Sequence, residues 1–287
     1  MKLGVVFPQI EIGDDPDRIA AFATTAEALG YDHIIAYDHV VGASTINRPD
    51  WPGPYTVKSM FHEVFVLYGY LAGLTKTLEL VTAVVILPQR QTVLVAKQAA
   101  CLDVLSRGRL RLGIGTGWNA VEYEALNEDF TNRGRRSEEQ IEVLRKLFAE
   151  EVVSYEGEWH KITEAGLNPL PVNKRIPIWL GGMAPQVLDR VARIADGWFP
   201  LFNPELQNQL TSVREKAKQY SRNPADIGIE VMVGLGDAGT KQLDQLKKLR
   251  DMGVTHSAVV TMNAGLAPDE HIDAIQRFWE AAHTIAE

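Results

Sequence analysis

The sequence predicts an α/β protein, a (β/α)8 or TIM barrel, and three observations lead to this fold class. Strand-like and helix-like segments alternate eight times along 287 residues, which is the usual size of such a barrel. The strand-like segments, such as VVF and HII, are nearly continuous apolar runs, as expected of parallel strands that are covered on both faces. No linker rich in Gly, Ser or Pro divides the chain. We therefore expect residues 1–287 to form a single barrel domain.

The first half of the chain supplies four of the strand–helix units. KLGVVF (2–7) predicts the first strand, and DPDRIAAFATTAEALG predicts a helix with an Asp cap, an early Pro and a terminal Gly. HIIAY (33–37) predicts the second strand, and a long loop over 38–60 precedes the helix FHEVFVLYGYLAGLT. The third unit is LELVTAVVI with TVLVAKQAACLDVLS, and the fourth is RLRLGIGT with RRSEEQIEVLRKLFA. Long loops in compact domains are often lids, so we expect this one to cover a substrate.

The second half begins with an irregular segment over 151–175, which we interpret as an insertion before the fifth strand. Four units then follow: IPIWLGG with PQVLDRVARIA, GWFP with PELQNQLTSVREKAKQY, IGIEVMVGL with TKQLDQLKKLRDMG, and HSAVVTM with DEHIDAIQRFWEAAHTI. A doubly wound sheet is the structural alternative, but it usually has fewer strands.

The letters GTGWNA (115–120) fit the dinucleotide-binding pattern G-x-G-x-x-G/A. A dinucleotide-binding turn usually follows the first strand of its unit, and an acidic residue about twenty positions later usually ends the second strand. Here the turn follows the fourth predicted strand, and the corresponding acids, Glu138 and Glu139, fall in a helix, so the context argues against dinucleotide binding. Gly113, Gly115 and Gly117 alternate, so they should share one side of the strand. We expect the missing side chains to leave clearance at the barrel mouth beside a ligand.

Composition excludes several classes of function. The net charge of -8 argues against a nucleic-acid binder, and no segment reaches the ~18 apolar residues of a membrane span. The single cysteine, Cys101, rules out an internal disulfide and favours a cytoplasmic location, and we expect a buried structural thiol. No metal-ligand motif is present, so no metal site is predicted.

The carboxyl ends of barrel strands form active sites, and the second strand ends in Asp38 and His39. His39 is suited to acid–base work near neutral pH, and Asp38 could either orient it or bond a ligand directly. In the loop that follows, Trp51 and Tyr55 are expected to line the substrate pocket.

Other strand ends complete the predicted mouth. After the fifth strand, Gly181 and Gly182 precede a helix with Pro in its first turn, which predicts a phosphate site on free backbone N–H groups. The small residues after the third strand would let a flat ring approach the backbone. Further candidates for the pocket wall come from the first and sixth strands: Phe7, Gln9, Trp198 and Phe199.

Three stretches together resemble the bacterial luciferase-like superfamily of flavin- and deazaflavin-dependent oxidoreductases. They are LPQRQTVLVAKQAACLDVLSRGRLRLGIGTGWNAVEYEAL, RGRRSEEQIEVLRKLF and PIWLGGMAPQVLDRVARIADGWFP. The resemblance implies a cofactor ring at the mouth, either coenzyme F420 or FMN, and a homodimer.

The resemblance also implies roles for individual residues. Its cofactor-binding positions here are Thr82, Ala83, Val84, Trp118, Asn119, Gly181, Gly182 and Met183. Of these, Gly181 to Met183 would hold the phosphate, and the Ala83–Val84 peptide bond would be cis. The Asp38–His39 pair matches the F420 branch. Cations for an acidic cofactor tail are few, namely Arg48, Lys58 and Arg90, which keeps FMN as the alternative.

The predicted function is therefore hydride transfer between F420 and a small organic substrate, with His39 as the acid–base group. The alternatives are an FMN-dependent monooxygenase, a barrel isomerase or aldolase acting on a phosphorylated substrate, and a non-catalytic flavin-binding protein.

Overall fold

A computed structural model of the chain describes residues 1–236 and 240–286. Within these residues, eight parallel strands close into a barrel, which confirms the predicted fold class. The strands run in the order β3-β2-β1-β11-β10-β9-β8-β5, and β5 pairs back with β3 through Leu80 and Leu110. Their bounds are β1 Lys2–Val6, β2 His33–Ala36, β3 Glu79–Thr82 with its continuation β4 Val85–Ile86, β5 Leu110–Gly115, β8 Ile178–Gly181, β9 Gly197–Phe199, β10 Gly228–Gly234 and β11 His256–Val260.

Helices surround the barrel, and their ends follow the sequence signals. In the first helix, the Asp15 side chain accepts a hydrogen bond from the Asp17 amide, and Gly30 ends the helix with φ of 100°, a left-handed conformation that favours glycine. The helices are α1 Pro16–Leu29, α2 Val64–Leu74, α3 Thr92–Leu105, α4 Ala120–Ala125, α5 Arg133–Ala149, α6 Pro185–Ile194, α7 Leu206–Gln219, α8 Thr240–Asp251 and α9 Glu270–Ala286. In the described part of the chain, none of them is long and apolar enough to cross a membrane.

The apolar core has two layers. The larger layer lies between the strands and the helices, where residues such as Val5 and Phe22 are fully buried. The smaller layer fills the barrel interior with Val6, Ile35, Val81, Trp179, Phe199, Ala258 and Met262. Adjacent residues such as Val5 and Val6 therefore serve different layers, as the alternation of side chains along a strand requires.

The insertion before β8 is more regular than its sequence suggests. It contains an antiparallel hairpin, β6 (Val153–Glu156) and β7 (Lys161–Ala165). Glu139 of α5 holds the hairpin, because its carboxylate accepts hydrogen bonds from the amides of Glu158 and Trp159 and contacts His160 Nδ1 at 2.7 Å.

A buried charged network, which we did not predict, occupies the amino-terminal end of the barrel interior. Glu230 contacts His33 and accepts a hydrogen bond from Arg111 Nη1 at 2.6 Å. Arg111 also binds Glu79 and stacks over the Trp179 ring at 4.3 Å. Burial alone would raise the pKa of Glu230, but the neighbouring His33 and Arg111 outweigh it and hold the pKa at about 2.

His256 begins β11, within the predicted strand HSAVVTM, and its ring packs against Trp179 with centroids 5.0 Å apart. One sequence interpretation outside the site needs correction. Cys101 is only partly buried.

Candidate functional site

A cavity of about 500 Å³ opens at the carboxyl ends of the strands, where the sequence places the site. Such a volume lies within the range of small-molecule and cofactor pockets. It is lined by Tyr37, Asp38, His39, Tyr55, Ala83, Val84, Ile86, Gly115, Thr116, Gly117, Trp118, Gly181, Gly182, Phe199, Leu201 and Met232. The structure thus brings together residues from five strand ends and from the long loop after β2.

The wall between β3 and β4 contains the cis Ala83–Val84 peptide bond, as the resemblance implies. Val84 is seated between two glycines. A Cβ on Gly115 would collide with the Val84 side chain, and a Cβ on Gly181 would lie 3.0 Å from Val84 Cγ1. The two glycines therefore make room for Val84, which in turn forms part of the cavity surface.

This arrangement corrects our interpretation of the alternating glycines. Gly115 and Gly117 do line the cavity. Gly113 lies deeper, where a Cβ would collide with the Thr82 carbonyl. The space beside all three is occupied by the chain itself, because the neighbours are Thr82, Val84 and Ile86. The clearance serves close packing of β3 and β4 against β5.

His39 is held by a carboxylate that the sequence analysis missed. Its Nδ1 lies 3.2 Å from Oε2 of Glu122, whose side chain is 1% exposed. With Nδ1 directed at Glu122, Nε2 is the ring nitrogen left for a ligand. A buried carboxylate in this position orients an imidazole and stabilises its protonated form.

Glu122 is itself firmly positioned. Its Oε1 accepts hydrogen bonds from the amides of Val40 and Val41 at 2.5 and 3.3 Å, and Gln89 Nε2 donates to Oε2 at 3.3 Å. Burial would raise the pKa of Glu122, but the hydrogen bonds from His39 and Val40 outweigh it, and the net shift is downward. Glu122 is therefore held as a carboxylate.

The short helix α4 places Glu122, and Asn119 begins it. The Asn119 side chain accepts a hydrogen bond from the Glu122 amide at 3.3 Å. Asn119 is 3% exposed and caps the helix; it does not line the main cavity, but it lines a smaller cavity of about 180 Å³ beside His39. The N-x-x-E pattern of residues 119–122 is a known signal of a helix start and could have revealed this element.

Asp38 does not orient His39, although the sequence analysis considered that role for it. Its carboxylate binds Arg90 Nη2 at 2.7 Å and accepts a hydrogen bond from the Ile86 amide at 3.2 Å. Burial raises the pKa of Asp38, while the Arg90 guanidinium opposes that shift. Arg90 also binds Glu63 at 2.8 Å. The ion pair joins the loop after β2 to the loop after β4.

Aromatic residues of the loop between β2 and α2, together with Trp118 after β5, cover His39. The imidazole meets the rings of Tyr55, Phe61 and Trp118 edge-on, with centroids 4.9, 4.8 and 5.8 Å away. Trp51 packs on Trp118 at 5.8 Å and donates to the Tyr55 carbonyl at 2.9 Å. Trp51 therefore supports the wall from behind instead of lining the cavity, whereas Tyr55 and Trp118 line it.

The loop after β8 leads into α6 as predicted, with Pro185 at the first helical position. Ala184 caps α6 without a side-chain hydrogen bond, and Gly182 takes φ of 121°. The amino terminus of the helix thus presents backbone N–H groups and the positive end of its dipole, a favourable place for a phosphate. The Met183 sulphur accepts a hydrogen bond from the Leu201 amide at 3.3 Å, which fixes the loop.

Four other predicted residues do not line the cavity. Phe7 is fully buried against Phe22 of α1, because its side chain points out of the barrel. Thr82 exchanges hydrogen bonds with the backbone of Gly113 at 2.8 Å, one layer below the mouth. Trp198 Nε1 donates a hydrogen bond to the Gly182 carbonyl at 2.8 Å. Gln9 Oε1 accepts a hydrogen bond from the Tyr37 amide at 3.2 Å.

Metal ligation has no obvious place in this site. Within residues 1–236 and 240–286, no group of three or more His, Cys, Asp or Glu side chains is arranged to hold a metal ion.

Comparison with known proteins decides the family. A family model described as luciferase-like monooxygenase matches residues 1–283. The chain belongs to the luciferase-like monooxygenase family. As a member of it, the protein is an oxidoreductase.

Alignments with sequence relatives cover most of the chain. An uncharacterised protein of Mycobacterium tuberculosis is 34% identical over 243 residues, which cover 81% of this chain and 81% of that protein. An FMNH2-dependent dimethylsulfone monooxygenase of Pseudomonas fluorescens is 30% identical over 237 residues, which cover 80% of this chain and 61% of that enzyme.

Solved structures of other proteins share the fold. A monooxygenase from Streptomyces bottropensis superimposes with a TM-score of 0.79 at 18% identity, over 99% of each chain. A coenzyme F420-dependent tetrahydromethanopterin reductase from Methanopyrus kandleri gives 0.78 at 17% identity, over 100% of this chain and 99% of that one. At these identities the likeness concerns the fold.

Proposed function

We propose that this luciferase-like protein binds coenzyme F420 at the barrel mouth and catalyses hydride transfer to or from a small organic substrate. The observation that carries the proposal is that His39, which Glu122 holds, lies on the wall of a cavity that Gly181 and Gly182 of the loop before α6 also line. One cavity thus combines a proton-handling group with the loop that leads to the positive end of α6.

The cavity fits a flat cofactor that carries a phosphate. Ala83 and Val84 supply the surface for the ring, and Gly181, Gly182 and Met183 supply the phosphate loop at α6. When bound, a deazaflavin supplies hydride transfer, whereas reduced FMN supplies reaction with oxygen.

The protein's own contribution is proton handling and exclusion of water. Glu122 holds Nδ1 of His39, so Nε2 can give a proton to a substrate oxygen or take one from it. Tyr55, Phe61 and Trp118 surround the imidazole with apolar surface, and electrostatic interactions are stronger where water is excluded.

An FMN-dependent monooxygenase is the second candidate. The dimethylsulfone monooxygenase of Pseudomonas fluorescens, which is 30% identical to this chain, depends on FMNH2. In addition, Arg90, one of the few cations near the mouth, is bound by Asp38 and Glu63 and is not free to receive the acidic tail of F420.

Titration of the purified protein with F420 and with FMN separates these functions. Ligand binding at the mouth should quench the fluorescence of Trp118, which lines the cavity. F420 binding together with turnover that is lost in His39→Ala supports the proposal. Tight binding of FMN alone contradicts the F420 assignment, and cofactor binding without any turnover favours a non-catalytic flavin-binding protein.

We also propose that the protein is a homodimer formed through α2 and α3, which pack side by side. An outward stripe of α2 is apolar, with Val66 at 69% exposure and Tyr70 and Leu74 nearby, and Leu94 and Leu105 of α3 extend it. Exposed apolar patches of this kind mark interaction surfaces, and Gly69 and Gly73 leave the stripe open for close approach.

Light scattering on a sizing column tests the dimer. Val66→Lys combined with Leu105→Lys should convert the protein to a monomer, whereas Tyr220→Lys, at an exposed site that ends α7, should not. A wild-type monomer contradicts the dimer proposal.

A further inference from the structure

We propose that the substrate of this cavity is compact, uncharged and largely apolar, with one hydroxyl or carbonyl group that bonds His39. The inference rests on the proposed function and deepens it, because it names the chemical class that the cavity accepts. It follows from the distribution of charge and apolar surface around the mouth.

The cavity wall offers no unbalanced cation to an anionic substrate, because His39 is already paired with the Glu122 carboxylate. Among the described residues, those that line the cavity include neither Lys nor Arg, and their one carboxylate is Asp38. The segment 237–239, which follows β10 and lies outside the described residues, reads Asp-Ala-Gly and adds no basic side chain. A carboxylate, sulfonate or phosphate on the substrate would therefore enter without a partner.

The guanidinium of Arg90 lies next to this wall, and two carboxylates already neutralise its charge. It binds Asp38 at 2.7 Å and Glu63 at 2.8 Å, and its side chain is 12% exposed. Two carboxylates more than balance its charge, so the cluster of Arg90 with these acids repels an anion rather than attracting one.

The positive end of α6 is the feature at the mouth that suits an anion. It begins at Pro185, just after Gly181 and Gly182, and Gly181 lies beside Val84. The proposed function assigns this place to the cofactor phosphate, which leaves no anion site for the substrate.

The rest of the wall favours an apolar body. Tyr55, Ile86, Trp118, Phe199, Leu201 and Met232 present aromatic and aliphatic surface to the cavity. Burial of an unpaired charge against such surface is very costly. A neutral molecule avoids that cost, and a single polar group satisfied by His39 fixes its orientation.

Matched neutral and anionic probes test the substrate class. Cyclohexylmethanol and cyclohexanecarboxylate have nearly the same size and differ in charge. Each is titrated into the protein, with and without saturating cofactor, and binding is followed by calorimetry and tryptophan fluorescence. We expect the alcohol to bind at least ten times more tightly than the carboxylate. Equal or tighter binding of the carboxylate, or no binding of the alcohol, would overturn the inference.

A charge introduced at the rim provides the complementary test. Leu201 lines the cavity and is 69% exposed, so Leu201→Arg supplies the missing cation at an accessible position. It should raise the affinity for cyclohexanecarboxylate about tenfold relative to that for cyclohexylmethanol. Val172→Arg, a matched substitution at an exposed valine far from the mouth, should change neither affinity. No gain in Leu201→Arg counts against the inference.

The outcomes also distinguish this inference from the proposed function. If neither F420 nor FMN binds and the alcohol is still preferred, the proposed function fails and the substrate class stands. If a cofactor binds and the carboxylate is preferred, the substrate class fails and the function stands.

Discussion

At the scale of single residues, the site depends on which carboxylate reaches which cation. Two acids lie near His39, and adjacency in the sequence favours Asp38. The structure instead pairs His39 with Glu122, which is 83 positions away, and turns Asp38 towards Arg90. Adjacent residues at a strand end point in opposite directions, so the neighbour in sequence is the wrong partner in space.

Glu122→Gln should lower turnover by about 10- to 100-fold, the usual cost of losing a group that orients a functional histidine. Cofactor affinity should stay within about threefold, because Glu122 does not line the main cavity. The loss should fall on kcat more than on KM, because His39 loses the partner that orients its ring.

Glu124→Gln is the matched control, since Glu124 is an exposed residue of the same helix. If Glu122→Gln kept the wild-type kcat, Glu122 would have no role in positioning His39.

Arg90→Met should destabilise the protein by about 3–5 kcal/mol, because it leaves the buried Asp38 carboxylate without its cation. Asp38 is fully buried, and its pKa is already raised by burial. Urea unfolding measures the loss. The double substitution Arg90→Met with Asp38→Asn removes the orphaned charge and should recover part of the stability. A double variant no more stable than Arg90→Met would show that the ion pair is not the cause.

At the scale of elements, the β3–β4 junction and α4 carry the site. Sequence patterning placed the third strand over residues 78–86, but the structure divides it into β3 and β4 around the cis bond between Ala83 and Val84. The resemblance anticipated this bond, whereas hydrophobic periodicity does not register a change in peptide geometry. Periodicity also missed α4, because six residues are too few to show a helical repeat.

Gly115→Ala should destabilise the barrel by about 1–3 kcal/mol, the typical cost of overpacking a filled site. The added methyl would collide with Val84, and the distorted wall should also weaken cofactor binding. In a Val84→Ala background the same substitution should cost clearly less, because the colliding group is gone.

Thermal unfolding of the four proteins in this double-mutant cycle gives the coupling between the two sites. Independent, additive effects would mean that the glycine is not there to accommodate Val84.

At the scale of the whole molecule, the buried network at the far end of the barrel controls stability in acid. Burial lowers the pKa of His256, and the nearby Arg111 adds to this, so that it falls from 6.5 to about 3. The unfolded chain therefore binds a proton at His256 that the folded chain does not, and stability falls as the pH drops from 6.5 towards 3.

Glu230 adds a second loss at lower pH. Its folded pKa of about 2 lies below the ordinary value of 4.5, so its stabilising effect is complete above pH 4.5 and disappears as the pH falls towards 2. Both groups act in the same direction, and the protein should be acid-sensitive.

His256→Gln should flatten the dependence of unfolding free energy on pH between about 6.5 and 3, because it removes one differential proton. Urea unfolding at several pH values measures the slope, and the slope is informative even if the variant is less stable overall. A slope identical to that of the wild type would contradict a depressed pKa at His256.

The sequence by itself determined the class of fold, the end of the barrel that carries the site, and the family. Apolar runs alternating with helical segments specify a closed parallel barrel, and its connectivity brings Asp38, His39, Gly115 and Gly181 to one edge. These properties depend only on the order of residues along the chain, and the sequence states that order in full.

The tertiary structure decided which of these residues touch. It joined His39 to Glu122, turned Phe7 and Trp198 away from the cavity, and filled the space beside Gly115 with Val84. Such pairings depend on the twist, tilt and register of strands that are distant in the chain. A shift of one residue or a few tens of degrees exchanges a cavity residue for a core residue, and no local pattern records that geometry.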